Sequence, residues 1–224
     1  MRRIAVTAAS VLAAALALAG SVQADAGGSP ASGWHVGYYT PSSHGALSFA
    51  EAASVPGGVA GLNFTNQPNT ALLVTSQQAQ FGSLLGNLNG KTITATFSIA
   101  GADSPFTYFG EGTSSNPCGT PANTRLYFET SNAGGFDFTH FWWANPDSQT
   151  LINGNNLTLT ATVEPAEWSD WNGQNGATVP DAFASAAGNV TKIGLSFGGG
   201  CFFENGVGTA DGSGSLTLDS YSAN

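Results

Sequence analysis

Three features of the chain predict an all-β fold: a two-sheet antiparallel β-sandwich of the jelly-roll type with one or two short helices. They are period-two alternation of apolar and polar residues, closely spaced turn signals, and a scarcity of helical periodicity. The alternation is cleanest between residues 91 and 99, where Ile93, Ala95, Phe97 and Ile99 interleave with Thr92, Thr94, Thr96 and Ser98. It recurs in Leu157, Leu159, Ala161 and Val163, which are separated by three threonines. Ile193, Leu195 and Phe197 alternate with Lys192, Gly194 and Ser196, and Leu216 and Leu218 with Ser215, Thr217 and Asp219. Each run predicts a strand with one buried and one wet face. Aromatic and β-branched segments place further strands near 34–39, 46–49, 71–74, 106–109, 125–130 and 136–144.

Turn chemistry separates these runs at Pro56-Gly57-Gly58, 87–90, 132–135 and 153–156. Two segments read as helix, 77–85 and 180–187. In the second, Pro180 suits a first helical turn and Gly188 suits its end.

The N-terminus reads differently. Arg2 and Arg3 precede an uncharged apolar run over 4–20, and Val22-Gln23-Ala24 supplies small residues at a cleavage site. This pattern is that of a secretory signal peptide over 1–24, too short for the ~20 apolar residues of a membrane span. The expected organisation is leader 1–24, a flexible lead-in 25–32 and one sandwich domain over 33–224. The expected location is secreted or extracellular, with a periplasm as the other option, and with no membrane insertion after processing.

Charge narrows the partners. The full chain carries a formal net charge of −9. Without the leader only Lys91, Arg125 and Lys192 face 14 acidic residues. Such a surface repels nucleic acid and anionic lipid. Only 8% of residues are charged while 11% are aromatic, so the chain folds through apolar burial with a neutral hydroxyl- and amide-rich exterior. Cys118 and Cys201 are the only cysteines. In an exported protein they most simply form one disulfide, worth about 4–5 kcal/mol in the chain-entropy account, with two free thiols as the alternative.

Catalytic motifs are sparse. Two carboxylates flanking a glycosidic bond sit about 5–9.5 Å apart, and no predicted strand carries such a pair at i and i+2. Glu164, Glu167 and Asp170 form the densest acidic cluster, which reads as a solvated loop past a strand end at Pro165. His140 reads as a sheet histidine sharing a face with Phe136, Phe138 and Trp142. Gly-x-Ser-x-Gly is absent, and Gly198-Gly199-Gly200 lacks the residues that complete a phosphate loop. No cofactor is expected. Asp25, Asp103, Asp181 and Asp211 near turns leave a structural calcium open, with no ligand set assigned.

The aromatics carry the functional expectation. Trp142 and Trp143 point to opposite faces of a strand. Trp168, Asp170, Trp171, Asn172 and Gln174 cluster within one short loop. Exposed indole faces stack on sugar rings, and carboxylate and amide groups take hydroxyl hydrogen bonds.

The segment Val190-Thr-Lys-Ile-Gly-Leu-Ser-Phe-Gly-Gly-Gly-Cys-Phe-Phe-Glu-Asn-Gly-Val-Gly-Thr, followed by Gly214-Ser-Leu-Thr-Leu-Asp-Ser-Tyr, resembles the closing half of secreted bacterial galactose-binding-like and laminin-B-like jelly rolls. Trp34 and Gly45-Ala-Leu-Ser-Phe add to the likeness. The resemblance implies a jelly roll that binds glycan or matrix and carries over no invariant ligand motif. The Glu-x-Asp-x-x-Glu strand of laminarinase-like glucanases is absent.

The expected function is therefore a non-catalytic carbohydrate-binding module, whose partner is an extracellular glycan or other neutral ligand. Trp168, Asp170, Trp171, Asn172 and Gln174 are its expected ligand-binding residues. The alternatives are a secreted glycan-cleaving enzyme, using Glu167 or Asp170 with Glu204 or Glu129, and a structural or matrix protein without a small ligand.

Overall fold

Threonine opposite threonine sets the register of the smaller of two sheets. The computed structural model describes residues 32–40, 43–114 and 116–224. The expected leader and residues 25–31 of the lead-in lie outside the described residues. β5 (Thr92–Ala100) pairs antiparallel with β10 (Gly154–Thr162), which puts Thr94 opposite Thr160 and Thr96 opposite Thr158. The paired hydroxyls lie 3.3 and 3.5 Å apart. A slip of one residue would turn Ile93, Ala95, Phe97 and Ile99 out of the core. β14 (Ser215–Ala223) takes the other edge of β5, and β3 (Ala60–Asn63) completes the order β10-β5-β14-β3. An irregularity between Leu218 and Ser220 resets the alternation in β14. It turns Tyr221 inward onto Trp34, with ring centroids 5.3 Å apart.

The larger sheet runs, edge to edge, through β11 (Trp168–Asp170), β8 (Phe141–Ala144), β7 (Asn123–Thr130), β12 (Val190–Gly198), β4 (Thr70–Thr75), β1 (His35–Thr40) and β2 (Ser43–Glu51). Three short strands branch from this path: β9 (Gln149–Thr150) pairs with β7, and β13 (Val207–Thr209) pairs with β4 and with β6 (Phe106–Tyr108). Among the described residues the strand pairings of both sheets are antiparallel. The chain crosses repeatedly between the sheets, and their inner faces share one core built on Trp34, Phe97, Leu126, Phe128, Trp142, Trp168 and Phe197. This is the expected two-sheet sandwich.

The helices are short. α1 (Gln78–Phe81) gives way to a single 3-10 turn at Gly82–Leu84. α2 (Pro180–Ala187) begins on its proline and ends at Gly188. It sets Phe183 edge-on against Trp142, centroids 4.9 Å apart, and so closes one end of the core.

Four short strands, β3, β9, β11 and β13, escape a periodicity reading because two to four residues cannot display a period. The 136–144 segment is also corrected. Its strand begins only at Phe141 because Asp137 caps a 3-10 turn over Phe138–His140 instead. His140 therefore sits on a turn, with Nδ1 2.6 Å from Asn132 Oδ1. Cys118 and Cys201 form a disulfide and leave no free cysteine. Among the described residues no helix is long and apolar enough to cross a membrane.

Candidate functional site

The outward face of the larger sheet is not wet. Tyr39, Leu72, Val74, Tyr127 and Trp143 point away from the main core, yet they are buried in a second apolar cluster. Here the expected wet face of β12 is corrected: Gly194 and Ser196 are buried on it. Two loops cover the face, and a groove of about 400 Å³ lies between them.

One wall is the reversal after β12. The Gly198-Gly199-Gly200 run serves this turn. A Cβ on Gly199 would collide with the ring of Tyr108, and Gly200 has φ +63°. Thr120 Oγ1 donates to Gly200 O at 2.8 Å, and Asn205 Nδ2 donates to Phe109 O at 2.8 Å. The disulfide to Cys118 ties down the tip. The loop then lays Phe203 across the sheet. Ser196 Oγ donates to Phe203 O at 3.1 Å, and the Arg125 guanidinium lies 4.4 Å from the Phe203 ring centroid. Arg125 is itself held by the carbonyls of Ala144, Pro146 and Asp147. Burial lowers its pKa to about 10, which leaves it cationic at neutral pH.

This wall delivers Glu204, 8% exposed, to the groove. Its Oε1 accepts from the Tyr39 hydroxyl at 3.3 Å, and its Oε2 is buried with no hydrogen-bond partner. Burial, and next the charge of Glu129, push its pKa up to about 8. The Tyr39 hydrogen bond and Lys192 only partly offset this. Glu204 is thus a neutral carboxylic acid at neutral pH, able to donate as well as accept. Glu129 lies on the same sheet face, ion-paired to Lys192 at 2.6 Å and hydrogen-bonded by Tyr127.

The second wall is the Asp170–Gly173 turn. Asp170 Oδ1 accepts from the backbone N–H groups of Asn172 at 2.9 Å and Gln174 at 2.8 Å, which fixes the turn. Asp170 Oδ2 is buried and has no partner. Trp171 stands on this turn, 44% exposed, and meets Trp143 on the groove floor with centroids 5.8 Å apart. Trp143 Nε1 is the third buried atom without a partner on a groove-lining residue. Phe109 and Phe202 add exposed rings to the rim.

The expected platform is therefore brought together in part. Trp171, Asp170 and Asn172 line the groove. Gln174 is exposed beside it and contributes its backbone N–H to the turn. Trp168 is a correction: it is 0% exposed, its ring tilted against Phe128 with centroids 4.7 Å apart and its Nε1 donating to Thr162 O at 2.8 Å. β11 alternates, and this residue falls on the core side, so no ligand reaches it. The solvated acidic loop is likewise corrected. Asp170 is 1% exposed, and Glu167 Oε2 accepts from Thr162 N at 2.7 Å.

Sequence reasoning did not place Trp143, Tyr39 and Phe202 in a site, and it named Glu204 only as a carboxylate of the glycan-cleaving alternative. The one signal was the Cys118–Cys201 pair, which marks the 201–205 segment as tethered. Among the described residues no group of three or more His, Cys, Asp or Glu side chains could hold a metal. Asp211 Oδ1 is occupied by Ser213 and Ser104, whose hydrogen bonds lower the Asp211 pKa. No protein-family model, curated protein or solved structure matches the chain.

Proposed function

We propose that the groove between the Asp170–Gly173 turn and the Cys201–Asn205 loop binds a neutral glycan, and that the protein is an exported, non-catalytic carbohydrate-binding module. One observation carries this reading. The half-exposed Trp171 ring stands beside a groove whose lining holds three buried, unpartnered polar atoms: Trp143 Nε1, Asp170 Oδ2 and Glu204 Oε2. A sugar ring presents an apolar C–H face and an edge of hydroxyls that both donate and accept. The groove matches it with aromatic faces, one obligate donor and the two carboxyl groups of Asp170 and Glu204. Buried polar groups favour a ligand that satisfies them. Charge also favours a neutral ligand, because Arg125 and Lys192 are engaged by protein groups on this face. Export is supported by the disulfide, a bond that persists in oxidising compartments.

The test is retention of residues 25–224 on a panel of insoluble and soluble neutral polysaccharides, with Trp171→Ala and Glu204→Gln alongside. Retention on a neutral glycan, lost in Trp171→Ala, is the expected result. No retention by a folded wild type removes the reading.

A second reading, glycan cleavage, draws on Glu204. A carboxyl kept protonated up to about pH 8 is in the state of a general acid, and Asp170 supplies a second carboxyl in the same groove. It predicts release of reducing ends from the retained glycan, abolished in Glu204→Gln while retention persists.

A further inference from the structure

The aromatic surface does not stop at the rim of the groove. Trp171 faces two ways. Inward it meets Trp143. Outward it meets Phe136, centroids 5.6 Å apart, and Phe141, at 5.4 Å. Phe136 in turn stacks on Phe141 at 5.5 Å and meets Phe138 edge-on at 5.3 Å. Phe136 is 59% exposed and Phe138 44%. Neither belongs to either apolar cluster of the fold. Exposed phenylalanine neighbours on a chain whose surface is otherwise hydroxyl- and amide-rich mark an interaction surface.

The patch is also held still. Asp137 Oδ1 accepts from Thr139 N at 2.8 Å and from Thr139 Oγ1 at 2.6 Å. Trp142 Nε1 donates to Thr139 O at 2.7 Å, and Trp171 N donates to Phe138 O at 3.3 Å. The last bond ties the turn carrying Phe138 to the turn carrying Trp171. Rings on pinned turns lose little conformational entropy when a ligand covers them. From 131 to 138 the only charged side chain is Asp137, and its Oδ1 is committed to Thr139.

We infer that the Phe136–Phe138 patch is a second subsite continuous with the groove, and that the ligand is a chain of several neutral hexoses rather than a single sugar. The inference rests on the glycan reading of the groove. Equatorially substituted glucose chains expose apolar C–H faces along their length, which suits successive aromatic rings. Trp171 is the shared ring. A unit seated in the groove leaves its neighbour over Phe136 and Phe138. A docking surface for a second copy of the chain is the rival use of the same rings.

The experiment titrates wild-type residues 25–224 with cello-oligosaccharides and laminari-oligosaccharides, from disaccharide to hexasaccharide, and repeats the series with Phe136→Ala/Phe138→Ala. Affinity should rise with chain length in the wild type for at least one series. The double substitution should lower the ratio of long-chain to short-chain affinity by about fivefold to tenfold. Binding with no dependence on length overturns the second subsite and leaves the groove reading standing. So does a length dependence that the double substitution does not touch. Wild-type self-association in sedimentation, abolished by the double substitution with the length dependence intact, assigns the patch to a second copy and overturns the inference. Failure of the folded wild type to bind either series removes the glycan chain from groove and patch together.

Discussion

The outward faces of the two sheets have the same backbone geometry and opposite fates. On the smaller sheet that face is a ladder of threonine and serine, with Thr94 opposite Thr160 and Thr96 opposite Thr158, left to solvent. On the larger sheet the corresponding positions are Tyr39, Leu72, Val74, Tyr127 and Trp143, buried beneath two loops. A sandwich needs one apolar face per sheet to close its core. The second apolar layer is therefore surplus to that core, and it floors the groove. The difference teaches where to look: the hydroxyl ladder faces solvent, and the covered face carries the groove proposed as the binding site. Covering it requires anchors, here the Cys118–Cys201 disulfide on one loop and the Asp170 turn on the other.

The sharpest break of this contrast comes from two tryptophans three positions apart. Trp168→Ala removes a fully buried core ring and should cost about 3–5 kcal/mol in urea unfolding. Trp171→Ala should cost less than about 1 kcal/mol, because its ring is half in water. Equal costs would dissolve the division between core and groove. Next in size is the disulfide. Cys118→Ala/Cys201→Ala should lower stability by about 2–4 kcal/mol and weaken glycan retention, since the loop bearing Glu204 loses its tether. Stability lost with retention unchanged would free the groove from that loop.

Glu204 supplies a pH test. Burial pushes its folded pKa up to about 8, above the ordinary 4.5 of an exposed glutamate. The fold therefore favours the protonated form. This contribution is fully present below pH 4.5 and is lost as pH rises through about 8. The unfolding midpoint should fall between about pH 4.5 and about pH 8 in the wild type and stay flatter in Glu204→Gln. Parallel curves would mean that the carboxyl is not buried as described. The smallest effect belongs to the other sheet. Thr94→Val should change stability by no more than about 0.5 kcal/mol and leave glycan retention untouched, because its hydroxyl meets only a cross-strand threonine.

Legibility in the sequence follows the same divide. The three long strands of the smaller sheet, β5, β10 and β14, are plain because solvent on one face enforces alternation, as in Ile93 to Ser98 and Leu157 to Val163. On the larger sheet β4 and most of β7 are buried on both faces, so their residues follow no strict alternation. Their place in the order depends on neighbours far along the chain. The loop from Trp168 to Gln174 could be found as a cluster, yet its parity could not. β11 is three residues long, too short to show which of Trp168 and Trp171 turns inward. Glu204 was legible only as a candidate catalytic carboxylate, because its surroundings in the groove are made by Tyr39, Glu129 and Lys192, which come from three separate strands.

The most direct test of the groove as the ligand site is titration calorimetry of wild type and Trp171→Ala with the neutral glycan that the wild type retains, each protein first shown by urea unfolding to be fully folded under the assay conditions. A loss of about tenfold or more in affinity by a folded variant is the predicted result. Unchanged affinity in a folded Trp171→Ala would contradict the assignment and place the glycan elsewhere on the molecule.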